Sequence, residues 1–352
     1  MADPTIQTFC CHRSNRTDEV GLLYEFNSPT YNTVCAVSSA IGVCGAIYQL
    51  LPRQELQKAS SRWVPFTITR GRRIIMWLAV ADLLASLGVF VRSLLWINNQ
   101  TLIPSVGSDS SLIFCFLTSA WIEYFYMCTW LWTLCYAIDV RQVYKERSCN
   151  LWLYHLFAWS VPAALTSTGL SILYVPKENC HSLESNAYLR ILPNYCATYL
   201  PIAAVMIVNP ILYAATSKDV TMQAARVLGQ ITSRERSYVG AVRFKFFAIN
   251  AAFYVCWLPN LINGLLLWTL WFNLPVHVLT GLWYIMAVTN PMQALLNSLV
   301  YRRWNGQPQR LRLPCRSQEA ADVSLNEETP LLLSPESFRS SKNTSINGCT
   351  AT

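Results

Sequence analysis

Seven apolar stretches, each about twenty residues long or more, recur along this 352-residue chain and limit what it can fold into. They run over 31–51, 74–96, 112–138, 151–174, 196–216, 244–271 and 278–301. A bilayer's hydrocarbon core is about 30 Å thick, and roughly 20 apolar residues of helix cross it. The expectation is an all-α membrane protein, a seven-transmembrane helix bundle. Only 13% of residues are charged, against about 25% in soluble domains. Pro162, Pro201, Pro210, Pro259 and Pro291 fall inside the stretches; membrane helices tolerate such breaks because neighbours satisfy the freed backbone groups.

Lys and Arg set the orientation. Segments 52–73, 139–150, 217–243 (with Lys245 just beyond) and 302–352 hold 6, 3, 6 and 7 basic residues, whereas the opposite side holds only Arg13, Arg16, Lys177 and Arg190. Cytoplasmic loops carry such an excess, so the N-terminus is expected outside or lumenal and the C-terminus cytoplasmic. The same imbalance accounts for the net charge of +8 without nucleic acid, since no basic run interleaves with a soluble fold. Residues 1–30 contain no apolar run long enough for a signal peptide, so the first helix is expected to act as its own insertion signal. The organisation read from this is an outer or lumenal segment over 1–30, a helical domain over 31–304 and a disordered cytoplasmic tail over 305–352. Asn15 and Asn99 each begin an Asn-x-Thr glycosylation triplet on the expected outside. Cys115, opening the third stretch, and Cys180, in the loop after the fourth, lie on the same oxidising side, where a disulfide between them would persist.

Polar side chains inside hydrocarbon are costly, so those present carry information. Asp82 lies about 12 Å into the second stretch at 1.5 Å per residue. It reads as an ion- or water-binding switch between helices, or as a structural carboxylate held by neighbouring Ser or Asn. Glu123 lies about two turns below Cys115. It reads as the partner of a cationic ligand group or as a hydrogen-bonded link between helices. Arg92, close to Trp96 at the outer end of the second stretch, either pairs a ligand carboxylate or snorkels to the interface. In the sixth stretch Trp257 stands half a turn from Pro259, which kinks the helix. A large ring beside a kink suits a two-position element; otherwise it is simply core.

Several of these features together resemble the G-protein-coupled receptors. They are Asp82 after Ala81, Cys115 with Cys180, Trp159 with Pro162, the run Phe253-Tyr254-Val255-Cys256-Trp257-Leu258-Pro259, and Asn290-Pro291. More narrowly, residues 8–304 resemble the ocular albinism type 1 family of pigment-cell receptors. The stretches that carry this are Thr8-Phe9-Cys10-Cys11, Cys135-Tyr136-Ala137-Ile138-Asp139, Leu200-Pro201, Asn209-Pro210-Ile211-Leu212, and Cys256-Trp257-Leu258 with Asn260, Ile262 and Asn263. The resemblance implies a receptor rather than an enzyme. It implies ligands among tyrosine, the catechol amino acid made from it and dopamine; the candidate ligand-facing residues are Glu123, Arg92, Trp257, Asn260 and Asn263. It further implies a conformational switch built on Asp82, Trp257, Pro259, Asn290 and Pro291, a heterotrimeric G protein as partner, a phosphoinositide and calcium output, and a place in melanosome formation and transport. Two departures bear on coupling. Asp139 stands where the receptors' Asp-Arg-Tyr motif begins, but Val140 follows and Arg141 comes one place late; and where a Tyr is expected four residues after Asn290, the chain has Ala294.

Segment 217–243 is basic and partly helical in pattern, as an extension toward a cytoplasmic partner would be. In the tail, Ser and Thr residues offer phosphorylation sites for arrestin. Glu327 and Glu328 ahead of Leu331-Leu332 resemble endolysosomal sorting signals read by adaptor complexes. No metal or cofactor is expected: His12, His155, His181 and His277 are scattered, whereas a zinc site needs clustered ligands. Segment 278–301 has no Lys for a retinal Schiff base. The competing reading is a transporter or channel of an endolysosomal organelle, although the two halves of the chain lack the internal repeat common in transporters.

Overall fold

The computed structural model describes residues 28–51, 66–98, 109–145, 150–174, 187–228, 233–269 and 276–303. They form seven α-helices: α1 (Ser28–Leu50), α2 (Phe66–Asn98), α3 (Asp109–Tyr144), α4 (Leu151–Tyr174), α5 (Ala187–Leu228), α6 (Ser233–Thr269) and α7 (Val276–Arg303). Asn15, Asn99, Cys180, Glu327, Glu328, Leu331 and Leu332, and the side chain of Cys115, lie outside the described residues.

Each helix packs on its neighbour in the chain, and α7 closes the ring by packing on both α1 and α2. The third helix also packs on α5 as well as on α2 and α4, which puts it at the centre of the bundle. Two glycines set the α1–α7 contact. A Cβ at Gly42 would strike the Pro291 carbonyl, and one at Gly45 would strike the backbone of Leu295. Small residues permit this kind of close approach between membrane helices.

The bundle carries its polarity on the inside. Leu200, Ile207, Phe247, Trp152 and Leu265 are exposed, while Asp82, Glu123, Asn209, Asn260, Asn263 and Asn290 are buried. A soluble bundle would reverse this pattern. Four helices, α1, α2, α5 and α6, are by length and composition long and apolar enough to cross a membrane.

The helices outrun the apolar stretches. The second begins at Phe66 rather than 74, the fifth covers Ala187–Leu228 rather than 196–216, and the sixth begins at Ser233 rather than 244. Hydropathy marks the length that suits hydrocarbon, but backbone hydrogen bonding continues into water wherever the residues form helix well. At its 42 residues, α5 is about 63 Å long, roughly twice the hydrocarbon thickness. It contains Pro193 as well as Pro201 and Pro210. Pro210 has no N–H to give the Met206 carbonyl one turn earlier. Tyr254 of α6 donates its hydroxyl to that carbonyl at 2.8 Å, so the broken rung is repaired from the neighbouring helix.

Candidate functional site

Three layers of buried polar and aromatic side chains connect the helices. In the first, Glu123 on α3 accepts a hydrogen bond from the Thr198 hydroxyl on α5 at 2.7 Å. Trp283 on α7 donates its indole N–H to Asn263 Oδ1 on α6 at 3.0 Å. Asn260 is fully buried one turn from Asn263. Arg92 is only 2% exposed and lies within electrostatic reach of the Tyr126 hydroxyl. So buried a guanidinium does not snorkel to the interface.

The second layer is built on Trp257, which is 0% exposed. Its ring meets Tyr126 at 5.0 Å and Trp130 at 4.8 Å, both edge-on from α3. Its N–H donates to Gln293 Oε1 on α7 at 2.7 Å. Edge-to-face aromatic pairs and a satisfied indole fix the ring's position. Pro259 follows two residues later in the same helix. A swing of α6 about that proline would pull this ring from both α3 and α7.

The third layer joins α2 to α7. Asn297 donates its side-chain amide to Asp82 Oδ2 at 2.8 Å. The Ser86 hydroxyl, one turn further along α2, reaches the Pro291 carbonyl at 3.5 Å. Tyr301, one turn after Asn297, is buried edge-on to Tyr136 at 5.2 Å. Nearer the basic ends of the helices, Arg70 of α2 and Asp139 of α3 form a buried ion pair, Nε to Oδ1 at 2.5 Å. Burial pushes the Asp139 carboxyl above its usual range, and the Arg70 guanidinium pulls the other way without cancelling it. Among the described residues, no group of three or more His, Cys, Asp or Glu is placed to hold a metal ion.

This arrangement belongs to a chain matched over residues 1–345 by the model of the ocular albinism type 1 protein family. The chain belongs to that family. It is similar to G-protein coupled receptor 143 of Homo sapiens, with 30% identity over 324 residues that cover 87% of this chain and 78% of that protein.

Several side chains at the centre of this family member were not singled out from sequence. The partner of Asp82 is Asn297, two turns beyond Asn290. Asn297 and Tyr301 have the four-residue Asn-to-Tyr spacing that Asn290 and Ala294 lack. The signal was present as an inward stripe of Asn290, Gln293, Asn297 and Tyr301 at helical spacing. Asp139 takes Arg70 from another helix as its ion-pair partner, and Arg141 is half-buried one turn-face away. Residues two apart on a helix point in different directions.

Proposed function

We propose that this member of the ocular albinism type 1 family is a G-protein-coupled receptor with seven membrane spans, its N-terminus outside or lumenal and its C-terminus cytoplasmic. The observation that carries the proposal is Trp257. It is locked to α3 by its ring and to α7 by its N–H, half a turn from Pro259 inside α6. A ligand that displaces this ring in the outer half shifts α6 in the inner half. The charge layout of 22 basic residues on one side against 4 on the other supports the orientation.

Tyrosine and its catechol derivative are amino acids, bearing one ammonium and one carboxylate. Glu123 and Arg92, on α3 and α2, supply the complementary charges within one bundle. Asn260, Asn263 and Trp257 supply polar and aromatic contacts from α6. Dopamine would use Glu123 alone. The output is assigned to a heterotrimeric G protein and to phosphoinositide and calcium, with arrestin and sorting adaptors reading the tail. The location is a melanosome or lysosome-type membrane, with some protein at the plasma membrane, and the role is in melanosome biogenesis and transport.

The test is inositol phosphate accumulation in pigment cells with and without the catechol amino acid. Leu331→Ala with Leu332→Ala brings protein to the surface, and Trp257→Phe tests the switch. A ligand-dependent rise that is blunted in Trp257→Phe is expected. No response from surface-resident, folded protein would remove both ligand and output. Tracer uptake in place of signalling would favour the transporter reading.

A further inference from the structure

Asn263 of α6 is fully buried, in the layer that also holds Glu123. It stands six residues past Trp257, about 9 Å further along the helix. Glu123 stands three residues before Tyr126, whose ring meets Trp257. In the orientation proposed above, both therefore lie on the outer side of the Trp257 ring, on different helices. Trp283 of α7 is fully buried as well and belongs to the same apolar cluster as Leu267 and Leu279. Its indole N–H donates to Asn263 Oδ1 at 3.0 Å.

That bond fixes the polarity of the amide. An indole nitrogen can only donate, whereas a side-chain amide has one accepting and one donating end. Trp283 therefore holds Oδ1 toward α7 and turns Nδ2 away from it. Nδ2 has no hydrogen-bond partner among the described residues. A buried donor left unpaired costs the full desolvation of its group, so α6 presents a donor that calls for an acceptor. Glu123 has the opposite character. An ionised carboxylate only accepts, and Thr198 already donates to its Oε1. The layer thus suits a ligand with a donor at the α3 end and an acceptor at the α6 end.

We propose that Asn263 recognises the ring hydroxyl oxygen of a tyrosine-class ligand, and that Trp283 is the positioning residue that fixes the amide for it. The inference rests on the ligand reading above, in which Glu123 takes the ammonium and Arg92 the carboxylate. The ring oxygen is the polar group of such a ligand that those two leave unmatched. A phenol oxygen accepts from Nδ2 as a neutral group, so the buried site gains a hydrogen bond without taking in a further charge. A flipped amide would set Nδ2 against the indole N–H, donor against donor, and Trp283 excludes it. A ligand without the ring oxygen leaves Nδ2 unpaired. A site built on a hydrogen bond to a hydroxyl discriminates strongly against the analogue that lacks it.

The experiment compares tyrosine with phenylalanine, which differ only in the ring hydroxyl, on the purified full chain in phosphatidylcholine nanodiscs. Binding is read from the thermal midpoint over a concentration series, because a ligand that binds the folded chain stabilises it. Wild type is expected to bind tyrosine at least about tenfold more tightly than phenylalanine. Trp283→Phe keeps a ring in the cluster but loses the N–H. It should narrow that ratio, with the affinity for tyrosine falling and that for phenylalanine holding. The double variant Asn263→Leu, Trp283→Phe removes both polar ends and leaves neither unpaired, so it also serves if Trp283→Phe alone fails to fold. It should bring the two amino acids to parity. A merely structural role would weaken both ligands alike and leave the ratio unchanged. Parity in wild type, or a ratio that survives in the double variant, would overturn this assignment and leave the ligand class standing. A ratio lost only in the double variant would keep Asn263 as the donor and overturn the role of Trp283. No shift with either amino acid on folded wild type would remove the ligand class proposed above, and this assignment with it.

Discussion

The side-chain amide of Asn297 donates to Asp82 Oδ2 at 2.8 Å, joining α7 to α2 in the buried interior of the bundle. Leaving a buried acceptor unpaired costs about 1–3 kcal/mol. Asn297→Leu is therefore expected to lower the thermal midpoint of the purified chain by several degrees. Asp82→Asn should cost less, because an amide oxygen accepts the same bond and a buried charge is removed. The Asp82→Leu, Asn297→Leu double variant should lose less than the sum of the two singles. Strict additivity would mean that the two side chains do not pair.

The Trp257–Gln293 bond makes a separable prediction. Trp257→Ala would leave a large cavity, costing about 3–5 kcal/mol, and would confuse folding with signalling. Trp257→Phe keeps an aromatic ring against Tyr126 and Trp130 but loses the N–H. Gln293→Leu loses the acceptor. Each single variant is expected to raise basal inositol phosphate by freeing α6 from α7, and the double variant should add little to either. Surface staining corrects for expression. Unchanged basal output in both singles would remove this bond from the switch.

The positions of Asp82 and Trp257 were legible in sequence for a physical reason. A carboxylate or a ring beside a proline is conspicuous against an apolar run. Their partners were not legible. Gln293 and Asn297 are uncharged, and Asn290-Pro291 drew attention to the wrong turn of the same face. Arg70 counted as one cytoplasmic charge among many, yet its side chain is 4% exposed. Arg92 left two readings open from sequence, and its burial removes the snorkelling one. Hydropathy located the seven segments but not the ends of α2, α5 and α6, because a helix does not stop where the hydrocarbon does.

The contact of α1 with α7 depends on missing side chains. Gly42→Ala would push a methyl into the Pro291 carbonyl, which cannot move without shifting the α7 backbone. It is expected to reduce folded yield sharply, and Gly45→Ala should behave alike against Leu295. Gly240→Ala, where nothing lies within 4 Å, is the control. In a helix it should be neutral or stabilising by about 0.5–1 kcal/mol. Monomer recovery on size exclusion reads all three, and normal recovery of Gly42→Ala would mean that the two helices are further apart than described.

The Arg70–Asp139 pair makes the last prediction, through both charge and pH. Each side chain is nearly buried, but the pair lies near the helix ends where water is close. Arg70→Ala is therefore placed between surface and deeply buried pairs, at about 1–3 kcal/mol. Arg141→Ala, whose side chain does not join this ion pair, should cost little. The pH dependence has a definite sign. The folded chain holds the Asp139 carboxyl above its usual range, mainly through burial, so between the usual and the raised values it binds a proton that the unfolded chain has lost. Stability from this group is present as pH falls through that window and is lost as pH rises through it. Asp139→Asn removes the titration. Thermal midpoints of wild type and Asp139→Asn measured from neutral to mildly acidic pH should therefore show wild type gaining on the variant as pH falls. A gap between them that stays constant with pH would mean that Asp139 keeps an ordinary carboxylate affinity for protons in the fold.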